Sequence, residues 1–330
     1  DAAVPELRKL LTARPIPQAR VHALWLLDGL NALKPDDLLM CAGDAEPGVR
    51  EQVARLAPRF VDSSSTIFEQ LLKLAVDPDP MVRFQTAIAL GGSRKAEAVA
   101  GLATIARRDL GDSWTRLAVL SGLKGRAWPF LVELAKPPVD LARSPGHVWF
   151  EQLVTLIGTE SQREAIDLVL EKYTAADQPP SMAASAVTSL ELGLSRASRS
   201  LKSHLGGSFS RLQPLIEQAL KVATSDASLG DRVESIRLLR LGDARTLVQP
   251  LSDLLDARQP VGVQVAAIQT LGRFDKDAGI GPILSHWMAL SPNAKREAAE
   301  VVFARAGRID AVLKELESRR IPPSEIEFAR

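Results

Sequence analysis

The segment Asp44-Ala45-Glu46-Pro47-Gly48-Val49-Arg50 recurs as Asp77-Pro78-Asp79-Pro80-Met81-Val82-Arg83, in the same frame and 33 residues further along the chain. After each arginine, a small or apolar residue follows at the fourth and seventh positions, which is the period of one helix face. Weaker versions of this frame are centred on Arg20, Arg116, Phe150, Ser185, Arg232, Gln264 and Arg296. A frame that recurs about every 30 to 35 residues predicts a repeat protein.

Each centre is preceded by a second stretch of helical period, from Val4–Leu11 at the start to Ile283–Leu290 near the end. Pro, Gly and Asp mark the joints between these stretches. The sequence therefore predicts about nine helical hairpins and an all-α fold. A single hairpin cannot bury its apolar stripe alone, so we expect the hairpins to stack as one solenoid over residues 1–330. Two bundles joined near residues 194–208 would share the helices but not the constant period.

Composition restricts the class of function. The 41 Lys and Arg residues almost balance the 40 Asp and Glu residues, so a general nucleic-acid or membrane-surface binder is disfavoured. The single cysteine, Cys41, excludes an intrachain disulfide and any Cys-x-x-Cys site. No apolar run approaches the length that crosses a bilayer. We expect no membrane insertion and no nucleic-acid partner.

Sequence motifs for catalysis or cofactor binding are missing. The four histidines, His22, His147, His204 and His286, are far apart, and no His-Glu-x-x-His motif occurs. There is no phosphate-binding Gly-x-x-x-x-Gly-Lys loop and no Gly-x-Ser-x-Gly elbow. We expect no catalytic residue, no metal site and no cofactor in this chain, and we interpret it as a non-enzyme.

The recurring Asp-x-x-Pro-x-Val-Arg pattern resembles the HEAT-repeat family. Three units carry both charged residues, as Asp44 with Arg50, Asp77 with Arg83 and Asp226 with Arg232. The aspartate is expected to cap its helix, and the arginine to reach the neighbouring repeat. The resemblance implies that these residues form a structural ladder through the stack. The alternative is that the arginines bind phosphate.

One helix face near the start of the chain combines His22, Trp25 and Asp28, spaced three residues apart. Such a face is a candidate ligand site. The alternative, which we favour, is that Trp25 packs into the next repeat beside His22.

Residues 194–211 contain several basic side chains and no acidic one, and the repeat spacing lengthens here to 47 residues. We call this segment the basic insertion and define its cations as Arg196, Arg199, Lys202 and Arg211. Long excursions from a regular scaffold often carry function. We expect either a site for an acidic partner or a solvated loop.

Several segments resemble a narrower family, the multi-domain haem proteins of planctomycete-type bacteria that are labelled membrane-bound dehydrogenases. The most specific are residues 19–30 (ARVHALWLLDGL) and 319–330 (RRIPPSEIEFAR). In that family a sorbosone-dehydrogenase-like propeller precedes the HEAT region and a cytochrome c domain follows it. The resemblance implies a scaffold between these two partner domains in an extracytoplasmic electron-transfer protein, although the sequence itself is also compatible with the cytoplasm.

The chain is expected to be part of a longer protein, because Ser324 and Glu327 form the start of a further short helix after Pro322-Pro323. Two other classes are also built from HEAT-like repeats. They are phycobilin lyases, which handle an open tetrapyrrole, and alkyl-base DNA glycosylases, which grip DNA in a basic groove.

Overall fold

A computed structural model describes residues 2–13, 16–175, 178–274 and 277–328. Its internal contacts divide the chain into two compact units, Asp1–Glu160 and Ser161–Arg330. The expected single array over residues 1–330 stays a prediction.

The first unit is built from helix pairs joined by short turns. Its helices are α1 (Ala3–Ala13), α2 (Pro17–Gly29), α3 (Pro35–Cys41), α4 (Pro47–Leu56), α5 (Ser65–Leu74), α6 (Pro80–Gly91), α7 (Ala98–Arg108), α8 (Ser113–Ser121), α9 (Ala127–Leu134) and α10 (Gly146–Glu160). A 3-10 turn at Ala57–Arg59 extends α4.

The second unit follows the same plan. Its helices are α11 (Arg163–Tyr173), α12 (Pro180–Arg196), α13 (Leu201–Leu205), α14 (Gln213–Ala223), α15 (Leu229–Leu238), α16 (Ala244–Asp253), α17 (Val261–Leu271), α18 (Ile280–Ser285), α19 (Pro292–Phe303), α20 (Ile309–Glu317) and α21 (Pro323–Phe328). The 3-10 turns are Gly206–Leu212, Leu239–Leu241, Trp287–Ala289 and Ala306–Arg308.

The helices of each unit stack in two rows. In the first unit, α1, α3, α5, α7 and α9 pack in sequence, and α2, α4, α6 and α8 form the row of second helices. In the second unit, α12, α15, α17 and α19 form the row of second helices, and α16, α18 and α20 pack beside it. No strand occurs among the described residues. The predicted all-α fold of stacked hairpins is confirmed for the part of the chain that the structure describes.

Helix starts are encoded locally. The side chains of Ser64, Asp79 and Asp112 cap α5, α6 and α8 by accepting backbone N–H bonds, and Ser228 and Ser291 do the same for α15 and α19. Proline occupies the first helical position of α2, α4, α6 and α19, where its missing N–H costs nothing. One or the other of these signals occurs at most of the second helices and sets the frame there.

The core between the rows is made of Ala, Val, Leu and Ile side chains from every hairpin. In the second helices, small residues let the backbones approach closely. A Cβ added to Gly122 of the α8 end would lie 2.3 Å from the Cα of Gly91 at the end of α6. The glycines therefore permit the close packing of α6 and α8.

Two expectations about the frame need correction. The basic insertion is not an irregular loop, because α12 extends to Arg196 and is followed by α13 and a 3-10 turn. In α19 the frame is one residue earlier than the sequence indicates, since Ser291 caps the helix and places Lys295 where Arg83 stands in α6.

A further pair, α20 and α21, follows the nine predicted hairpins. The expected capping box between Ser324 and Glu327 depends on the side chain of Glu327, which lies outside the described residues.

None of the described helices is long and apolar enough to span a bilayer.

Candidate functional site

The fourth residue after the N-cap of each second helix points into the stack. In the first unit this position holds Arg20, Arg50, Arg83 and Arg116. In the second unit it holds Arg232, Gln264 and Lys295 in α15, α17 and α19. One helix position therefore supplies a hydrogen-bond donor to most of the repeats.

In the first unit, Arg20, Arg50 and Arg83 each bind an aspartate of the next repeat. Arg116 does not continue the series, because its buried Nε has no hydrogen-bond partner among the described residues. Arg50 donates from Nε and Nη2 to the two carboxylate oxygens of Asp77, at 2.7 and 2.8 Å. Its Nη1 donates to the carbonyl of Asp44 at 2.7 Å, so each guanidinium also holds the turn of its own hairpin. Arg20 forms the corresponding pair with Asp44, at 2.7 and 2.8 Å. Bidentate pairs of this kind are the strongest ionic contacts available to arginine.

Arg83 continues the series, but its partner was not singled out from the sequence. It donates from Nε and Nη2 to Asp109 at 2.7 and 2.5 Å, and from Nη1 to the carbonyls of Asp77 and Pro78. Asp109 was missed because it lies outside the Asp-x-x-Pro-x-Val-Arg motif. Its signal is the spacing, since 26 or 27 residues separate donor and acceptor in both pairs.

The aspartates of the motif are not N-caps, contrary to expectation. Asp44 and Asp77 each stand two residues before the N-cap and accept the backbone N–H of Glu46 and Asp79, at 3.0 and 2.9 Å. Burial alone would raise the pKa of Asp77, but the hydrogen bonds from Arg50 and from the Asp79 backbone outweigh it and lower that pKa. The carboxylates therefore brace the turn and receive the previous arginine.

In the third unit that carries both charged residues, Arg232 reaches the next repeat, whereas Asp226 receives no arginine within the described part of the chain. Asp226 is exposed, and Arg232 donates to the carbonyl of Ala223 at 3.0 Å and to Oε1 of Gln259 at 2.7 Å. Gln264 then receives the hydroxyl of Ser291 at 3.1 Å. The acceptor of Arg232 is the amide of Gln259, which lies 27 residues further along the chain. The acceptors of the ladder are therefore uncharged here.

A second set of rungs lies at the far end of the hairpins and was not predicted. Arg59 pairs with Asp28, and Arg94 pairs with Asp62 at 2.9 Å, each reaching back to the preceding repeat. Arg126 donates to the carbonyls of Gly91 and Ser93, both at 2.8 Å. The recurrence of arginine 32 to 35 residues apart, without a shared motif, is the only sequence signal for these rungs.

The candidate ligand face on α2 is only partly available. Asp28 is engaged by Arg59, and Nε1 of Trp25 donates to Gln52 of α4 at 3.1 Å. Trp25 is still 41% exposed and His22 is exposed. The face is therefore an open surface with its carboxylate already paired, and the indole lies against the next repeat without being buried in it.

The basic insertion presents all four of its cations to solvent, since Arg196, Arg199, Lys202 and Arg211 are exposed. Arg211 lines a cavity of about 500 Å³ together with Arg163, Asp167 and Glu171. Nε2 of His204 lies 3.3 Å from Asp167 at the same place. This cavity carries both signs of charge, whereas the other three cations stand outside it.

A different surface combines apolar side chains that are exposed or half-buried. The second, fifth and ninth residues after the N-cap lie on one side of each second helix. On α6 and α8 this side carries Met81, Phe84, Ile88, Trp114 and Leu117, which we call the apolar face. Trp114 is 70% exposed and Leu117 is 57% exposed. The equivalent residues of α4 are Gly48, Glu51 and Arg55, so the apolar face does not continue onto α4.

Within the described ranges, no group of three or more His, Cys, Asp or Glu side chains is arranged to hold a metal ion. The single tyrosine, Tyr173, has its pKa raised to about 12 by burial, which makes it a poor proton donor at neutral pH.

The comparisons with known proteins agree with this architecture. Residues 35–124, which span α3 to α8 and contain the Arg50 and Arg83 pairs, match the family described as HEAT repeats. A comparison with curated proteins finds no match. The matched segment is therefore similar to HEAT repeats, which suggests a repeat scaffold for this part of the chain.

Proposed function

We propose that this chain is a non-catalytic HEAT-repeat scaffold that binds a folded protein domain through the apolar face of α6 and α8. The observation that carries the proposal is the exposure of Trp114 and Leu117, at 70% and 57%, on neighbouring positions of a rigid helix row. Exposed aromatic and aliphatic side chains on a fixed surface are typical anchors of protein interfaces. The ladder supports this role because it holds the helices that carry the face.

The resemblance of residues 19–30 and 319–330 supports a finer version of the proposal. In it, the partners are a cytochrome c domain and a sorbosone-dehydrogenase-like propeller, and the scaffold holds them together in an extracytoplasmic electron-transfer protein. The cytochrome c domain is the proposed occupant of the apolar face. The basic insertion is then available to an acidic surface of the propeller.

The test is calorimetric titration of the chain with each of these two domains, taken separately from a protein of the resembled class. The double variant Trp114→Ser/Leu117→Ser should lose cytochrome binding without a fall in melting temperature, because both side chains are already exposed. The matched control is Leu229→Ser/Val261→Ser, two exposed apolar residues of α15 and α17. Equal binding by the face variant and by the control would refute the apolar face as the interface.

Charge reversal of the four cations in the basic insertion provides a separate arm of the experiment. Propeller binding through these cations should weaken as salt is added, since exposed charges are screened within ~8 Å at physiological ionic strength. Charge reversal should abolish this binding. Mixing the chain with bilin or DNA tests the two alternative classes. A new absorbance band with bilin or a mobility shift with DNA, without binding of either protein domain, would replace the scaffold proposal.

A further inference from the structure

The ends of three second helices in the second unit enclose a concavity that the scaffold proposal does not use. It lies where α15, α17 and α19 finish and has a volume of about 540 Å³. That size is within the range of small-molecule sites in proteins. Five arginines line it, and we call it the arginine pocket: Arg237, Arg240, Arg273, Arg305 and Arg308.

Three of these arginines are held by carboxylates outside the pocket. Arg237 pairs with Glu234 at 2.6 Å. Arg305 and Arg308 share the carboxylate of Asp277, at 3.5 and 2.6 Å. Arg308 also donates to the carbonyls of Val301 and Gly272, so it is a fixed wall of the pocket.

The other two arginines, Arg240 and Arg273, form no ion pair within the described part of the chain. Arg240 is largely buried and donates from Nη2 to the carbonyl of Thr188 at 2.8 Å, whereas its buried Nε has no hydrogen-bond partner among the described residues. Burial lowers the pKa of Arg240. The charge of Glu191 opposes that change, and those of Arg273 and Arg237 add to it. The pocket thus holds a buried cation beside like charges.

Two glutamates also line the pocket and limit what it can bind. Glu297 accepts a hydrogen bond from Gln269 at 3.0 Å, which fixes its position. Glu300 is exposed at the rim. With Glu234 and Asp277 included, four carboxylates face the five guanidinium groups. The unpaired positive charge of the site therefore rests on Arg240 and Arg273.

We propose that the arginine pocket binds a phosphate-bearing small molecule, with Arg240 and Arg273 as the principal contacts. A phosphate group carries a charge of about −1.5 to −2 and three strong acceptor oxygens, so it can neutralise both of these guanidinium groups at once. A single carboxylate carries one charge and is satisfied by one guanidinium fork. Neither guanidinium group is neutralised by a carboxylate within the described part of the chain, and the remaining volume accommodates the organic part of the ligand.

The experiment is calorimetric titration of the full chain with inorganic phosphate, pyrophosphate and citrate at low ionic strength. Pyrophosphate should bind most tightly and should raise the melting temperature. Arg273→Gln should weaken its binding by about ten- to a hundred-fold, the loss expected for one charge-assisted contact. Arg273 is exposed, so this variant should keep the fold. Glu300→Gln should tighten binding several-fold by removing a repelling charge.

Arg296→Gln is the matched control, because it removes the same charge from an exposed arginine of the same unit that lies outside both the pocket and the basic insertion. Its affinity for pyrophosphate should equal that of the wild type. Three results would overturn the proposal: no binding of pyrophosphate, an equal loss in the Arg273 and Arg296 variants, or citrate binding as tightly as pyrophosphate.

Discussion

Replacing Arg83 by Ala should be among the most destabilising single changes in the first unit. Arg83 is 5% exposed and donates four hydrogen bonds, two to the Asp109 carboxylate and two to the carbonyls of Asp77 and Pro78. Truncation removes all four donors. It leaves a carboxylate in a side chain that is only 12% exposed, without its cation.

The size of the effect follows from this burial. Removing one partner of a buried ion pair typically costs about 3–5 kcal/mol, because the other charge stays desolvated and unpaired. The same change in an exposed pair costs about 0–1 kcal/mol. Arg94 provides that comparison within the same unit. It also pairs with an aspartate of another repeat, but its side chain is 88% exposed.

The measurement is urea unfolding of Arg83→Ala and Arg94→Ala, followed by hydrogen exchange at the amides of α6 and α8. Local exchange is needed because a repeat protein does not always unfold in one step. Adding Asp109→Ala to Arg83→Ala should recover part of the lost stability, since the stranded charge is then removed. If Arg83→Ala and Arg94→Ala differ by less than about 0.5 kcal/mol, the ladder is not a stabilising device.

Two further predictions concern acid and packing. The lowered pKa of Asp77 means that its stabilisation is complete above its ordinary pKa of 3.8 and is lost as the pH falls through the lowered value, so Asp77→Asn should flatten the acid limb of the urea midpoint against pH. Glu69→Gln, at an exposed site, should leave that limb unchanged. Gly122→Ala should cost about 1–3 kcal/mol by forcing a clash with α6, whereas Gly111→Ala, where nothing lies within 4 Å, should be neutral in thermal unfolding.

The fold was predictable because the same local sequence signals recur in many of the repeats. Proline at the start of a helix, a capping side chain before it and apolar residues at helical spacing define each hairpin without knowledge of its neighbours. The frame failed where those signals shift. In α19 the Ser291-Pro292 start moves the frame to Lys295, and in the basic insertion the extra residues form helix.

The candidate sites were harder to predict because they depend on residues from different repeats. Asp77 was found with Arg83, yet its ion-pair partner is Arg50, one repeat earlier. The arginine pocket combines residues from Arg237 to Arg308, and none of them belongs to a recognisable motif. A sequence pattern reports which helix face a residue occupies, but not which faces converge.

The change from carboxylate acceptors to uncharged acceptors gives the two units different sensitivities to pH. Between α2, α4, α6 and α8, arginines bind aspartates. Between α15, α17 and α19, Arg232 donates to the amide oxygen of Gln259, and Ser291 donates to the amide oxygen of Gln264. Acid therefore protonates the aspartates and breaks the ion pairs of the first unit, whereas it leaves the amide hydrogen bonds of the second unit intact. Under mechanical load at low pH, the helix row of the first unit would therefore deform more easily, while the α15–α19 row would keep its stiffness.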